Sequence, residues 1–303
     1  MIIKSLSDNH IHTFPKLVTA LGNFDGVHFA HTLLIKKTCE TALRLSQRCG
    51  EKIASAVFTF TDLKRPYITT TEEKLAIFES LGVEYVFICD FDSVRSLSPY
   101  EFVTQVLSKR LSCVHALCGY NYRFGNGASG DPSMLFRLCR NVGIDCTVMD
   151  EIRGVSSTRV REMLLEGDLE NANDILGRRY TISGKIVHGK GMGHTFGCPT
   201  VNIEMPDGKL LPKSGVYFTL CTIGDTVYPS ITNIGVCPTF GGSTVSCENH
   251  LLDVRCDLYG EYASVEFLRF RRPEMRFSSP DELYKAVSCD ISDARDFFLA
   301  RNP

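Results

Sequence analysis

Through the first half of the chain, short apolar runs alternate with amphipathic stretches, and the rhythm changes near residue 177. Residues 17–21, 53–60, 85–89, 114–118 and 146–149 are apolar runs of strand length. Such continuous runs suit strands buried on both faces of a sheet. Helical periodicity separates them. Past residue 31, Ile35, Cys39, Ala42 and Leu43 fall on one face. A helix opening at Thr71-Glu72-Glu73-Lys74 places Leu75, Phe78 and Leu81 on one side, with Gly82 as its stop. Further helices are expected over 99–111 and 132–140, and none of the first sixteen residues is assigned to an element. Strands alternating with helices predict a mainly parallel sheet covered on both faces, an open α/β domain. Ligands of such sheets bind beyond the carboxyl ends of the strands.

Helical spacing continues over 156–165 and 168–176. After Gly177-Arg178-Arg179 the chain breaks into short strand-like segments, 180–188, 215–222, 227–234, 248–254 and 264–270, punctuated by glycine and proline. That pattern predicts a sandwich or a small closed β-barrel. A last helix over 280–298 carries Leu283, Ala286, Val287, Ile291, Ala294 and Phe298 as its apolar face. The expected domains are 1–178 and 179–303, with the boundary inside 177–182.

Composition narrows the class. The 303 residues are 44% hydrophobic with a net charge of −2, which gives no electrostatic case for nucleic acid or an anionic membrane as partner. No apolar run approaches the roughly 20 residues that span a bilayer. The first sixteen residues lack the apolar core of a signal peptide, so a cytoplasmic protein is expected. Thirteen cysteines, an odd count with no Cys-x-x-Cys spacing, argue for buried free thiols over a disulfide framework or structural zinc. Oligomeric state stays open, self-association included.

Three segments of the first half carry chemistry. Gly22-Asn23-Phe24-Asp25-Gly26-Val27-His28-Phe29-Ala30-His31 joins the first buried strand to a helix. A glycine turn there aims backbone N–H groups and a helix N-terminus at an anion. His28 and His31 share a face of the first turn, which suggests phosphate chemistry; a turn with two surface histidines is the plain alternative. Gly119-Tyr120-Asn121-Tyr122-Arg123-Phe124-Gly125 offers rings to stack on a planar ligand and Asn121 to bond its edge, or else forms a buried aromatic turn. Ser156-Ser157-Thr158-Arg159-Val160-Arg161 opens a helix with Ser157 or Thr158 as its cap and Arg161 one turn in, an environment for a polyphosphate or a simple capped helix.

In the second half, glycines 189, 191, 193 and 197 form a loop whose N–H groups would cradle phosphates without a Walker ending, with Gly189 and Gly193 as candidate contacts. Thr200 and Asn202, two apart, face the same way on a strand and offer neutral oxygens suited to Mg²⁺ when nucleotide phosphates supply the charge. Glu248 and His250 share a face, and a carboxylate facing a barrel mouth is placed to take a proton from an attacking hydroxyl.

Together these motifs resemble the bacterial bifunctional riboflavin kinase/FAD synthetase family, and residues 71–91 and 97–102 add to the likeness. The resemblance also rests on Gly197-x-Pro199-Thr200-x-Asn202, Leu211-Pro212-x-x-Gly215-Val216-Tyr217, Asn233-Ile234-Gly235-Val236-x-Pro238-Thr239-Phe240, Glu248-x-His250-Leu251-Leu252-Asp253 and Arg272-x-Glu274-x-x-Phe277. It covers nearly the whole chain in the family's order. It implies a Rossmann-like nucleotidyltransferase domain that joins FMN to AMP, followed by a riboflavin kinase barrel using Mg²⁺ with ATP. The small-molecule substrates would be ATP, riboflavin and FMN. His28 and His31 would stabilise charge on the α-phosphate of ATP. Gly22, Phe24 and Asp25 would belong to the ATP-phosphate loop, Ser157 and Arg161 would hold the triphosphate, and Asn121 would lie on the flavin side. In the kinase, Thr200 and Asn202 would meet Mg-ATP, Glu248 would be the base on the ribityl 5′-hydroxyl, and Arg272 would sit near the flavin. Two departures bear on adenylyl transfer: Ala30 stands where the family usually has Gly, and Thr61–Pro66 lacks an Asp-Pro-His-Pro-like segment. A kinase with a degenerate first half and a non-enzymatic flavin or nucleotide sensor are the competing readings.

Overall fold

The computed structural model describes residues 1–5, 14–61, 66–187, 200–239, 242–254 and 258–300. Contacts divide the chain into two compact units, Met1–Ser157 and Thr158–Pro303.

In the first unit, six parallel strands form one sheet in the order β1 (Ile2–Ser5), β4 (Tyr85–Cys89), β3 (Ile53–Phe60), β2 (Lys16–Leu21), β5 (Cys113–Gly119) and β6 (Asp145–Met149). The side chains sort by parity, as pleating requires. Leu17, Leu21, Ala54, Ala56 and Phe58 enter one core. Val18, Ala20, Ile53 and Val57 enter the other. Helices α1 (Phe29–Cys49) and α2 (Thr71–Ser80) cover the second face through Leu34, Ile35, Ala42 and Phe78. Leu43, expected on the buried face of α1, is 62% exposed. Thr70 caps α2 in a reciprocal capping box with Glu73, one residue before the expected start.

The short α3 (Phe91–Val94) follows β4. The helix expected over 99–111 begins as α4 (Pro99–Glu101) and continues as a π-helix, Phe102–Arg110, closed by the Leu111 amide on the Val106 carbonyl at 3.0 Å. Together with α5 (Pro132–Asn141) it covers the first core. Nothing in the side-chain pattern distinguishes this i→i+5 winding from an α-helix. β1 escapes sequence reading for a clear reason: it is a four-residue edge strand whose Ile2 and Ile3 are nearly half exposed.

The order in which strands are added to the sheet reverses at β2. From there β3 and β4 build out one side and β5 and β6 the other, so the loops after β2 and β5 lie at a topological switch point.

The second unit opens with α6 (Ser157–Glu166), whose first residue still counts with the first unit, and α7 (Leu169–Leu176). Contacts group α7 and all but the first residue of α6 with the strands that follow. Asn173 explains this, accepting from the Tyr180 amide at 2.6 Å and donating to the Phe267 carbonyl at 2.9 Å, while the Lys213 amide bonds the Leu164 carbonyl at 2.9 Å. Six strands close a barrel in the order β10 (Thr226–Thr239), β11 (Gly242–Leu251), β8 (Val201–Ile203), β7 (Tyr180–Val187), β12 (Tyr262–Arg272) and β9 (Gly215–Ile223). Tyr217, Thr219, Cys221, Ser230, Thr232, Cys247, Asn249, Val265 and Phe267 fill its interior. The alternate residues Val216, Phe218 and Ile231 face outward and pack with Ala294 and Ile291 of the terminal helix α8 (Pro280–Leu299).

Candidate active sites

The first site grows from the loop after β2. Phe24 (φ 54°), Gly26 (φ 79°) and Val27 (φ 35°) all take left-handed backbone. For Val27, with its branched Cβ, that conformation is strained, and such strain gathers where function demands an unusual turn. Asp25 holds the loop in place. Its buried carboxylate accepts from the Ile68 amide at 2.9 Å and the Thr69 amide at 3.4 Å, while the Gly26 amide donates to Thr69 Oγ1 at 3.0 Å. Phe24 turns into the core, edge-on to His31 with ring centroids 5.2 Å apart. A Cβ at Gly22 would lie 3.0 Å from the Phe24 ring, a tight contact that would press on that side chain.

His28 caps α1. Its Nδ1 accepts from the His31 amide at 3.4 Å, so the neutral ring carries its proton on Nε2, a donor. The His28 and His31 rings stack at 3.7 Å, 14° apart. Ala30 sits between them in the first turn of a regular helix, half-buried. Ser157 is the first residue of α6 and does not act as its cap; its hydroxyl donates to the Asp25 carbonyl at 2.8 Å. Arg161 lies one turn further along α6, half-buried.

The loop after β5 follows the plainer of its two readings for two of its rings. Phe124 is buried and pairs with Gly130 in a bridge, where a Cβ would meet the Phe124 ring at 2.6 Å. Tyr122 stacks on Phe124 at 5.7 Å, and burial pushes its phenol pKa far up. Tyr120, 44% exposed with its hydroxyl 3.1 Å from Glu151, and the exposed Asn121 and Arg123 are on the outward side of the loop.

The second site is a cavity of about 260 Å³ whose lining includes Thr200, Asn233, Glu248, His250, Arg272, Glu274 and Asp290. Register explains the grouping. Asn202 pairs with Glu248, Glu248 with Asn233, Asn233 with Val216 and Val216 with Arg272, a row across β8, β11, β10, β9 and β12. Paired residues share a face. Because Asn249, Thr232 and Tyr217 point inward, this row lies on the outer wall of the barrel. Glu248 therefore faces the space beneath α8, and the expected barrel-mouth position is corrected. Leu283, Tyr284, Val287 and Ile291 of α8, with Met275 and Phe277, give the cavity its apolar side.

Sequence reading missed Asn233, Glu274 and Asp290 as site groups. Gly235 held a signal: a Cβ there would lie 2.4 Å from Glu274 Oε1 and 3.1 Å from Asn233 Nδ2, so the glycine makes room for a carboxylate. Asp290 interrupts the apolar stripe of α8 and is only 4% exposed. Thr200 and Asn202 bring neutral oxygens, and among the described residues no three acidic, histidine or cysteine side chains converge on a metal. The donor set suits a cation that arrives with nucleotide phosphates. Gly189 and Gly193 lie outside the described residues.

Relatives decide the family. The riboflavin kinase family model matches residues 176–298 and the FAD synthetase model residues 10–162. The bifunctional riboflavin kinase/FMN adenylyltransferase of Escherichia coli K12 is 34% identical over 297 residues, 94% of each chain. The chain belongs to the bifunctional riboflavin kinase/FMN adenylyltransferase family. The member from Listeria monocytogenes is 32% identical over 93% of this chain and 92% of its own. A crystal structure described as a macrolide-efflux protein from Streptococcus pneumoniae superposes with a TM-score of 0.84 at 25% identity, covering 97% and 99% of the two chains. Among the described residues no helix is long and apolar enough to cross a membrane. Family membership and the two sites agree in order: the histidine loop falls in the FAD synthetase match and the Glu248 row in the riboflavin kinase match.

Proposed function

We propose the following division of labour for a bifunctional riboflavin kinase and FMN adenylyltransferase, with 1–178 serving adenylyl transfer and 179–303 the kinase. The observation that carries the kinase half is the row Asn202–Glu248–Asn233–Val216–Arg272. Thr200 and Asn202 mark its phosphate end and hold Mg-ATP as substrate. Glu248, on the neighbouring strand, accepts the proton of the ribityl 5′-hydroxyl as that oxygen attacks the γ-phosphorus and ADP leaves. Three strand spacings, about 14 Å along the wall, separate Glu248 from Arg272, leaving room for the ribityl chain between base and ring. The apolar side under α8 then receives the ring. Gly189 and Gly193 add backbone donors to the phosphates.

For adenylyl transfer, the carrying observation is the stacked His28–His31 pair at the N-terminus of α1, beside the switch point of the sheet. The FMN phosphate attacks the α-phosphorus of ATP, and pyrophosphate leaves. His28 Nε2–H and His31 stabilise the charge that develops on the α-phosphate oxygens, helped by the helix N-terminus. Gly22, Phe24 and Asp25 shape this loop, Phe24 and Asp25 by packing and anchoring it. Ser157 and Arg161 hold the triphosphate, and Asn121 bonds the flavin edge. Cytoplasmic operation fits these soluble substrates. Assays started from riboflavin or from FMN, each with Mg-ATP, on Glu248→Gln and His28→Ala test the division.

A further inference from the structure

Asp290 is a buried charge with no role in the steps above. It sits midway along α8 on the stripe that carries Val287, Ile291 and Ala294, and it lines the cavity. Arg272 reaches it from the end of β12. Arg272 Nε donates to Asp290 Oδ1 at 3.1 Å and Oδ2 at 3.0 Å, and Nη2 donates to Oδ2 at 2.7 Å. Nη1 donates to the Pro273 carbonyl at 3.1 Å. Arg271 approaches Asp290 only to 3.9 Å and is paired to Asp293 instead.

A guanidinium has five N–H donors in one plane. Asp290 takes the side edge, Nε and one Nη2 hydrogen, and Pro273 takes one hydrogen of Nη1. One N–H on each of Nη1 and Nη2 remains, in the plane that the two-point grip fixes. Because Asp290 offsets the charge of Arg272, the pair attracts a phosphate weakly and suits a neutral ligand with acceptors at its edge. Position agrees with this: Arg272 lies four strands from Asn202, at the end of the row flanked by apolar α8 residues.

We propose that Asp290 is a positioning residue of the kinase site, fixing the plane of Arg272 so that its remaining N–H groups meet the acceptor edge of a neutral planar ring. This rests on reading the cavity as the riboflavin site. Arg272 then contributes geometry that an ammonium cannot reproduce, and Asp290 acts only through it.

The test uses the full chain and varies riboflavin and Mg-ATP separately for Asp290→Asn, Arg272→Lys, Arg272→Ala and the double variant Asp290→Asn/Arg272→Ala. Asp290→Asn and Arg272→Lys should each raise the KM for riboflavin about ten-fold, the loss of one oriented hydrogen bond. The KM for ATP and kcat should stay within about two-fold, and the double variant should be no worse than Arg272→Ala. A rise confined to the ATP KM would place Arg272 on a phosphate and overturn the proposal. So would independent, multiplying effects of the two substitutions, or a riboflavin KM unchanged in both single variants. Should Asp290→Asn fail to fold, Arg272→Lys decides alone, since it keeps the ion pair. Glu248→Gln separates the two levels: retained turnover there rejects the cavity as the kinase site, whereas lost turnover with unchanged riboflavin KM in Asp290→Asn and Arg272→Lys rejects the positioning role alone.

Discussion

Glu248 stands opposite Asn202 across the β11–β8 pair, and on its other side opposite Asn233 across the β11–β10 pair. Three polar residues from distant parts of the chain thus share one row on the outer barrel wall, and pairing alone sets their spacing. Behind the row, Asn249 donates to Thr232 Oγ1 at 2.7 Å and Ser230 Oγ at 3.2 Å inside the barrel, tying β11 to β10 in that register.

Removing the proposed base should silence one activity and spare the other. Glu248→Gln is expected to lower the rate of FMN formation from riboflavin by about 10²–10⁴-fold, the usual worth of a general base. FAD formation from supplied FMN should be unchanged in the same preparation.

The converse variant is His28→Ala. Loss of a donor to the developing phosphate charge should lower FAD formation from FMN by about 10²–10³-fold, with FMN formation from riboflavin as in the wild type. An unaltered FAD rate would reject the assignment.

Much of this architecture is legible in the sequence, and the exceptions share physical causes. The central strands read cleanly because both faces are buried, so β3 and β4 fall on their expected limits, Ile53–Phe60 and Tyr85–Cys89. β1 does not read, because an exposed edge strand needs no long apolar run. The π-helix does not read, because Phe102, Val103, Val106 and Leu107 fit an α-helical stripe equally well. Within the site, motif positions such as Glu248 and Arg272 are visible, whereas Asp290 gains meaning only when α8 meets β12. Alternation marks Glu248 and His250 as sharing a face, but it cannot say whether that face is the inside or the outside of a closed barrel.

Gly184 is a tight contact within the barrel. A Cβ there would lie 2.0 Å from the Glu204 carbonyl oxygen, a backbone atom that cannot swing aside. Gly184→Ala should therefore cost on the order of 1–3 kcal/mol by forcing β7 from its neighbour. Thermal denaturation should show a lower Tm, and an unchanged Tm would contradict the close approach.

His115 gives a pH signature. Burial lowers its pKa below the usual 6.5, and its Nε2 lies 2.8 Å from Thr147 Oγ1. In the unfolded chain the ring protonates first as pH falls, so its contribution is present above about 6.5 and is lost as pH drops through the folded-state value. The Tm difference between wild type and His115→Asn should be larger at pH 7.5 than at pH 5; a gap that widens on acidification would contradict this.

The most direct test of two active sites in one chain is chromatographic separation of flavins after incubating the wild-type protein with riboflavin, ATP and Mg²⁺. FMN should appear first and FAD should follow at its expense. FMN that accumulates without FAD would contradict the account and leave a kinase alone.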